Sequence, residues 1–143
     1  MFSKACEYAI KAAIYVAKQS LRNELVNVKQ VAASVDAPVA FTAKILQRMN
    51  REKILESSRG KMGGFVFNEE KQKGTTIYDI VLLFDGPGVF TECGLGLHRC
   101  SALNPCPVHD DFKIVREKLQ IMTQKFSFFD LAVRTESGLA WLR

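Results

Sequence analysis

The chain has 143 residues, 48% hydrophobic and 24% charged, with a formal net charge of +5. This is the composition of an ordinary folded domain, which excludes wholesale disorder, and apolar runs such as Ile80–Phe84 fall far short of the roughly 20 residues a bilayer demands. Residues 1–74 carry 13 Lys/Arg against 7 Asp/Glu, whereas residues 75–143 carry 7 against 8, so the basic excess lies in the first half and points to a polyanionic partner there.

Lys4, Glu7 and Lys11 interrupt any leader-like apolar segment, so the expected location is cytoplasmic. The first helix is expected over Phe2–Gln19, with Cys6, Ala9, Ile10, Ala13, Ile14 and Ala17 at helical spacing and Ser3 as its cap. Cys6 reads as a core residue. Val28–Val35 forms a second, short helix that Asp36-Ala37-Pro38 breaks. A third helix runs over about Val39–Glu52, with Phe41, Ile45, Leu46 and Met49 on one face. Two short helices joined by a tight turn make a helix-turn-helix pattern.

An extended run, Ile54–Ser58, then leads into the glycine-rich turn Arg59-Gly60-Lys61-Met62-Gly63-Gly64 and a second strand, Phe65–Phe67. A hairpin directly after a helix-turn-helix is the layout of a winged helix. Its tip presents Arg59 and Lys61, and arginine on a thin loop can enter a minor groove. Glu69–Gly74 reads as a polar linker, which places a boundary between a DNA-binding domain, 1–74, and a second region, 75–143.

Thr75–Phe84 is a helix that Asp85-Gly86-Pro87-Gly88 ends. Thr91–Val108 is irregular. His109 to about Lys125 is a long helix with Phe112, Val115, Leu119 and Met122 in one stripe, widened by Ile114 and Ile121. A short helix, Ser127–Val133, follows. The long helix, remote from the hairpin core, is expected to form the seam of a homodimer, since a helix-turn-helix protein that reads a palindrome needs two-fold symmetry. The fold class is therefore mainly α with a small β-hairpin wing and a C-terminal dimerisation helix.

Three of the four cysteines, Cys93, Cys100 and Cys106, and both histidines, His98 and His109, lie in one short stretch. The spacing Cys93-x6-Cys100-x5-Cys106-x2-His109 supplies three thiols and an imidazole. Zinc accepts such a set, but its cysteines usually stand two to four residues apart. These longer gaps give a loop that could wrap a larger object, and iron–sulfur clusters are held by thiolates with occasional histidine replacement. His98 reads as an ordinary loop residue.

The whole pattern resembles the Rrf-two family of winged-helix transcriptional regulators, the group of IscR and NsrR. The resemblance rests on Ser3-Lys4-x2-Glu7-Tyr8-Ala9, on Ile45-Leu46-Gln47-Arg48-Met49, on Ser58-Arg59-Gly60-x2-Gly63-Gly64-Phe65, and on the three cysteines with Pro107 and His109. It implies a homodimer on double-stranded DNA, with the third helix in the major groove and the wing in the minor groove. It also implies a [2Fe-2S] or [4Fe-4S] cluster on Cys93, Cys100 and Cys106. The fourth ligand would be His109, with Glu7 of the first helix of the other subunit as the alternative.

Base readout is expected from Ala40, Thr42, Ala43 and Lys44, and phosphate contacts from Lys44, Arg48, Arg51, Lys53, Arg59 and Lys61. Relatives often carry Glu-Gln where this chain has Ala43-Lys44, so its operator should differ from theirs. The expected function is a regulator whose DNA binding responds to a cluster or a redox signal. A cluster-free regulator of the same fold, sensing thiol oxidation or a small molecule, is the alternative. An enzyme or electron carrier is disfavoured, because no acid–base pair, nucleophile constellation or phosphate loop is evident.

Overall fold

The computed structural model describes residues 1–142 and resolves into eight helices and one two-stranded sheet among them. Helix α1 (Lys4–Leu21) is the spine. Ser3 caps it by accepting from the Cys6 amide, and Asp85 accepts in turn from the Ser3 amide and hydroxyl. Its small residues Ala9, Ala12, Ala13 and Ala17 are buried, which lets other helices approach it closely.

Helix α2 (Val28–Val35) begins at Asn27, which exchanges side-chain hydrogen bonds with Gln30 in a capping box. It ends at Asp36 in a left-handed conformation, with Pro38 two residues on. Helix α3 (Val39–Arg51) buries Ile45, Leu46 and Met49 against α1 and α2. The wing is β1 (Glu56–Ser58) paired antiparallel with β2 (Gly64–Val66). Gly60, with φ of 101°, sits in the turn where a side chain would be strained. The root of the wing is tied to the body by a bridge unforeseen in the sequence: Val26 and Phe65 exchange both backbone hydrogen bonds, at 3.1 and 2.7 Å.

The stretch expected to be a linker is instead helix α4 (Glu69–Gly74). Asn68 caps it, acidic residues open it and lysines close it, and Lys73 pairs with Glu69 one turn away. Its one buried residue is Gln72, whose amide donates to the Phe67 and Ala17 carbonyls. A helix anchored by a buried amide leaves no apolar periodicity to read.

Helix α5 (Ile77–Phe84) packs on α1, and the single turn α6 (Gly88–Thr91) follows. The loop between α6 and the long helix α7 (His109–Gln124) is irregular as expected. Helix α8 (Phe128–Glu136), capped by Ser127, returns to lie along α1 and α4. Phe128 meets Phe67 there with ring centroids 5.6 Å apart, and Lys18 of α1 and Arg22 at its C-cap pair with Glu136. The main core thus draws on both halves of the chain around α1. Among the described residues, no helix is long and apolar enough to cross a membrane.

Candidate nucleic-acid interface and cysteine loop

The outer face of α3 follows from its helical period. With Ile45, Leu46 and Met49 turned inward, Ala40, Lys44, Gln47 and Arg51 are left exposed and Ala43 half-exposed. Gln47, not among the expected contacts, stands three residues after Lys44 and shares its exposed face. One expected base contact needs correction, and one expected phosphate contact is engaged within the chain. Thr42 is 1% exposed and its hydroxyl donates to the Pro38 carbonyl at 3.0 Å, so it closes the first turn of α3 and cannot touch a base. Arg48 reaches back instead of outward: it donates to the Leu83 carbonyl at 2.7 Å and its guanidinium lies 4.9 Å from the centre of the Phe84 ring. It satisfies the C-terminal end of α5, where helix carbonyls lack partners.

Arg59 and Lys61 project from the exposed turn of the wing and make no ion pair among the described residues. Lys53, just beyond α3, is also exposed. Exposed cations thus occupy the outside of α3, the connection after it and the wing.

The second constellation lies at the far end of the chain. Cys93, Cys100, Cys106 and His109 line one cavity of about 270 Å3, together with Arg99, Asn104 and prolines 105 and 107. The Cys100 sulfur is 3.3 Å from His109 Nδ1. His109 is buried as the first residue of α7, and its amide donates to the Cys106 carbonyl. Backbone amides of Leu95 and Leu97 hydrogen-bond Cys93 and hold its thiol pKa below the ordinary value, with smaller contributions from the Cys106 side chain and the Arg116 charge.

Among the described residues, no three His, Cys, Asp or Glu side chains converge closely enough to grip a single ion; the four donors ring a space instead. His98 lies on the neighbouring rim, beside Cys93 and Cys100. Cys6 is fully buried, and burial, with Asp85 nearby, pushes its thiol up to about 12. Glu7 does not line the cysteine cavity of its own chain. It pairs with Lys4 at 2.7 Å, which holds its carboxyl below the usual value, and it borders a groove with Phe2, Ile10, Ile77 and Met122.

Arg116 carries almost no sequence signal of a site residue. From α7 it donates to the Glu92 carbonyl at 3.0 Å and to the Cys100 sulfur at 3.4 Å. Only its place two helical turns after His109 hints at this role.

A family profile described as "Rrf2: Iron-dependent Transcriptional regulator" matches residues 2–134. The chain belongs to the Rrf2 family. It is 34% identical over 122 residues to a candidate HTH-type transcriptional regulator of Aquifex aeolicus, covering 84% of this chain and 83% of that one. It is 27% identical over 114 residues to an rrf2-like regulator of Rhodobacter capsulatus, covering 78% and 73%. Among solved structures, CymR, the global cysteine regulator of B. subtilis, superposes with a TM-score of 0.75 at 19% identity, covering 94% of this chain and 98% of that one. T. potens IscR superposes at 0.72 with 12% identity, covering 100% and 93%. These two share the fold. As an Rrf2 member, this protein is a DNA-binding transcriptional regulator with a winged helix-turn-helix.

Proposed function

We propose that this Rrf2 regulator is a homodimer whose operator binding is modulated at the cysteine loop by an iron–sulfur cluster. The carrying observation is that three thiols and one imidazole, from residues up to 16 apart in sequence, face a single cavity. The donor set suits such a group: thiolates are the standard ligands of iron–sulfur clusters and imidazole is an accepted replacement. Cys93, Cys100 and Cys106 would hold a [2Fe-2S] or [4Fe-4S] cluster, with His109 as fourth ligand and the partner subunit's Glu7 as the alternative. Bound there, the group would supply a reversible change of charge that responds to oxidants.

The work is divided along the chain. Residues 1–74 meet DNA: Ala40, Ala43, Lys44 and Gln47 face base edges, while Arg51, Lys53, Arg59 and Lys61 neutralise phosphates or enter the minor groove. Residues 75–143 hold the loop and the seam. The seam reading is supported by Ile114, Val115, Ile121 and Met122, which remain 47–66% exposed on α7. Four large apolar side chains on one helix form a patch that a second copy can cover. Because the cavity is built on the first turn of α7, a change in the loop can bias how two DNA-reading heads sit in the dimer.

Spectra of protein purified without oxygen test this. A visible charge-transfer chromophore is expected, and replacing any one of Cys93, Cys100 or Cys106 by Ala should abolish it. Loaded and empty wild-type protein should differ in operator affinity. Tight zinc binding with no uptake of iron and sulfide would overturn the cluster reading. The placement of Cys93 and Cys106 on one cavity wall supports a second reading, a thiol switch in which an oxidant takes two electrons and two protons to form a disulfide. That reading expects no chromophore, with a Cys93–Cys106 disulfide in peptide maps of oxidised protein.

A further inference from the structure

Resting on the reading of the cysteine loop as a ligand site, we propose that Arg116 is its positioning residue, clamping the loop to α7 and facing its sulfur ligands with a fixed positive charge. The guanidinium bridges two separate parts of the loop. One nitrogen takes the Glu92 carbonyl, immediately before Cys93, at 3.0 Å. The other takes the Cys100 sulfur at 3.4 Å. One side chain thus ties the residue before Cys93 to the Cys100 sulfur, which the rigid planar fork of arginine allows and the single point charge of lysine does not.

Two further contacts seat the same loop on the same helix. His109 meets the Cys100 sulfur from the first turn of α7. Gly94 lies so close to Phe112 that a Cβ there would stand 2.2 Å from the ring. Phe112 and Arg116 are four residues apart and share one face of α7. Val115, beside Arg116, belongs to the exposed seam. Displacing the Cys100 sulfur therefore pulls on a helix whose adjacent face is offered to a second copy. The charge has its own consequence: reduction by one electron from dithionite makes a bound cluster more negative, and a neighbouring cation favours that state.

Wild type, Arg116→Gln and Arg116→Lys separate these roles in the full-length protein. Hydrogen exchange of the cluster-free form reads the clamp. In Arg116→Gln, amides over 92–100 should exchange about tenfold faster or more, the loss expected for a charge-assisted hydrogen bond, while α2 and α3 stay unchanged. Arg116→Lys should recover little of that protection, because it lacks the fork. The midpoint potential of the reconstituted form reads the charge: it should become more negative in Arg116→Gln and return towards wild type in Arg116→Lys, a pattern that loss of packing alone does not produce.

Unchanged exchange over 92–100 in Arg116→Gln overturns the clamp. An unchanged potential overturns the electrostatic role. If wild-type protein never takes up iron and sulfide, the cluster reading fails, and the exchange data still decide the clamp.

Discussion

Replacing Arg59 by Ala isolates the contribution of the wing, because Arg59 lies on its exposed turn. The side chain is exposed and makes no ion pair among the described residues. The free protein should therefore keep its stability within about 0.5 kcal/mol. On DNA the arithmetic is that of counterion release, with each neutralised phosphate contributing about 0.9 to the slope of log affinity against log salt. A dimer carries two wings, so the variant loses two contacts and its slope flattens by about 1.8. Between 50 and 200 mM salt, wild-type affinity should then fall about tenfold further than that of the variant. Fluorescence anisotropy across that salt range, on operator and unrelated DNA, gives both slopes. An unchanged slope with a folded variant would refute the placement of the wing on DNA. A loss confined to one sequence would show that Arg59 reads bases and does not act through charge alone.

Two other outcomes follow from the architecture. Val115→Glu, at a side chain 58% exposed in the single chain, should leave the fold intact and lower the light-scattering mass to that of one chain, 16.1 kDa; an undiminished dimer would move the seam elsewhere. Glu136 has its carboxyl held below the usual range by hydrogen bonding and charge from Arg22, with Lys18 adding to this. Its contribution is therefore present above the unfolded carboxyl pKa of about 4.3 and is lost as pH falls through the lower folded value. Glu136→Gln should accordingly unfold more easily than wild type at pH 7, with the gap in urea midpoint closing as pH falls below the unfolded pKa and through the folded one, and a gap that does not change with pH would refute the pairing.

Much of this protein was legible locally. Ser3 as a cap, the break at Asp36–Pro38 and the glycines of the wing act within a few residues of where they stand, so helix order, hairpin and turn could be read directly from the chain. The Cys-His spacing needed no fold to nominate a candidate site, because ligand chemistry depends on residue type first, and the structure puts those four residues around one cavity. What sequence could not settle were the directions in which side chains point once helices pack. Thr42 turned inward and Arg48 turned back to α5, because the position of each on α3 relative to α1 and α5 is set by packing, not by helical period alone. Helix α4 has the sequence of a linker, because a buried amide holds it where an apolar stripe would otherwise announce a helix. The Val26–Phe65 bridge and the reach of Arg116 to Glu92 and Cys100 join residues distant in sequence. Contacts of that kind come into being only when the chain closes on itself, since a hydrogen bond depends on the distance between two groups and not on their separation along the chain.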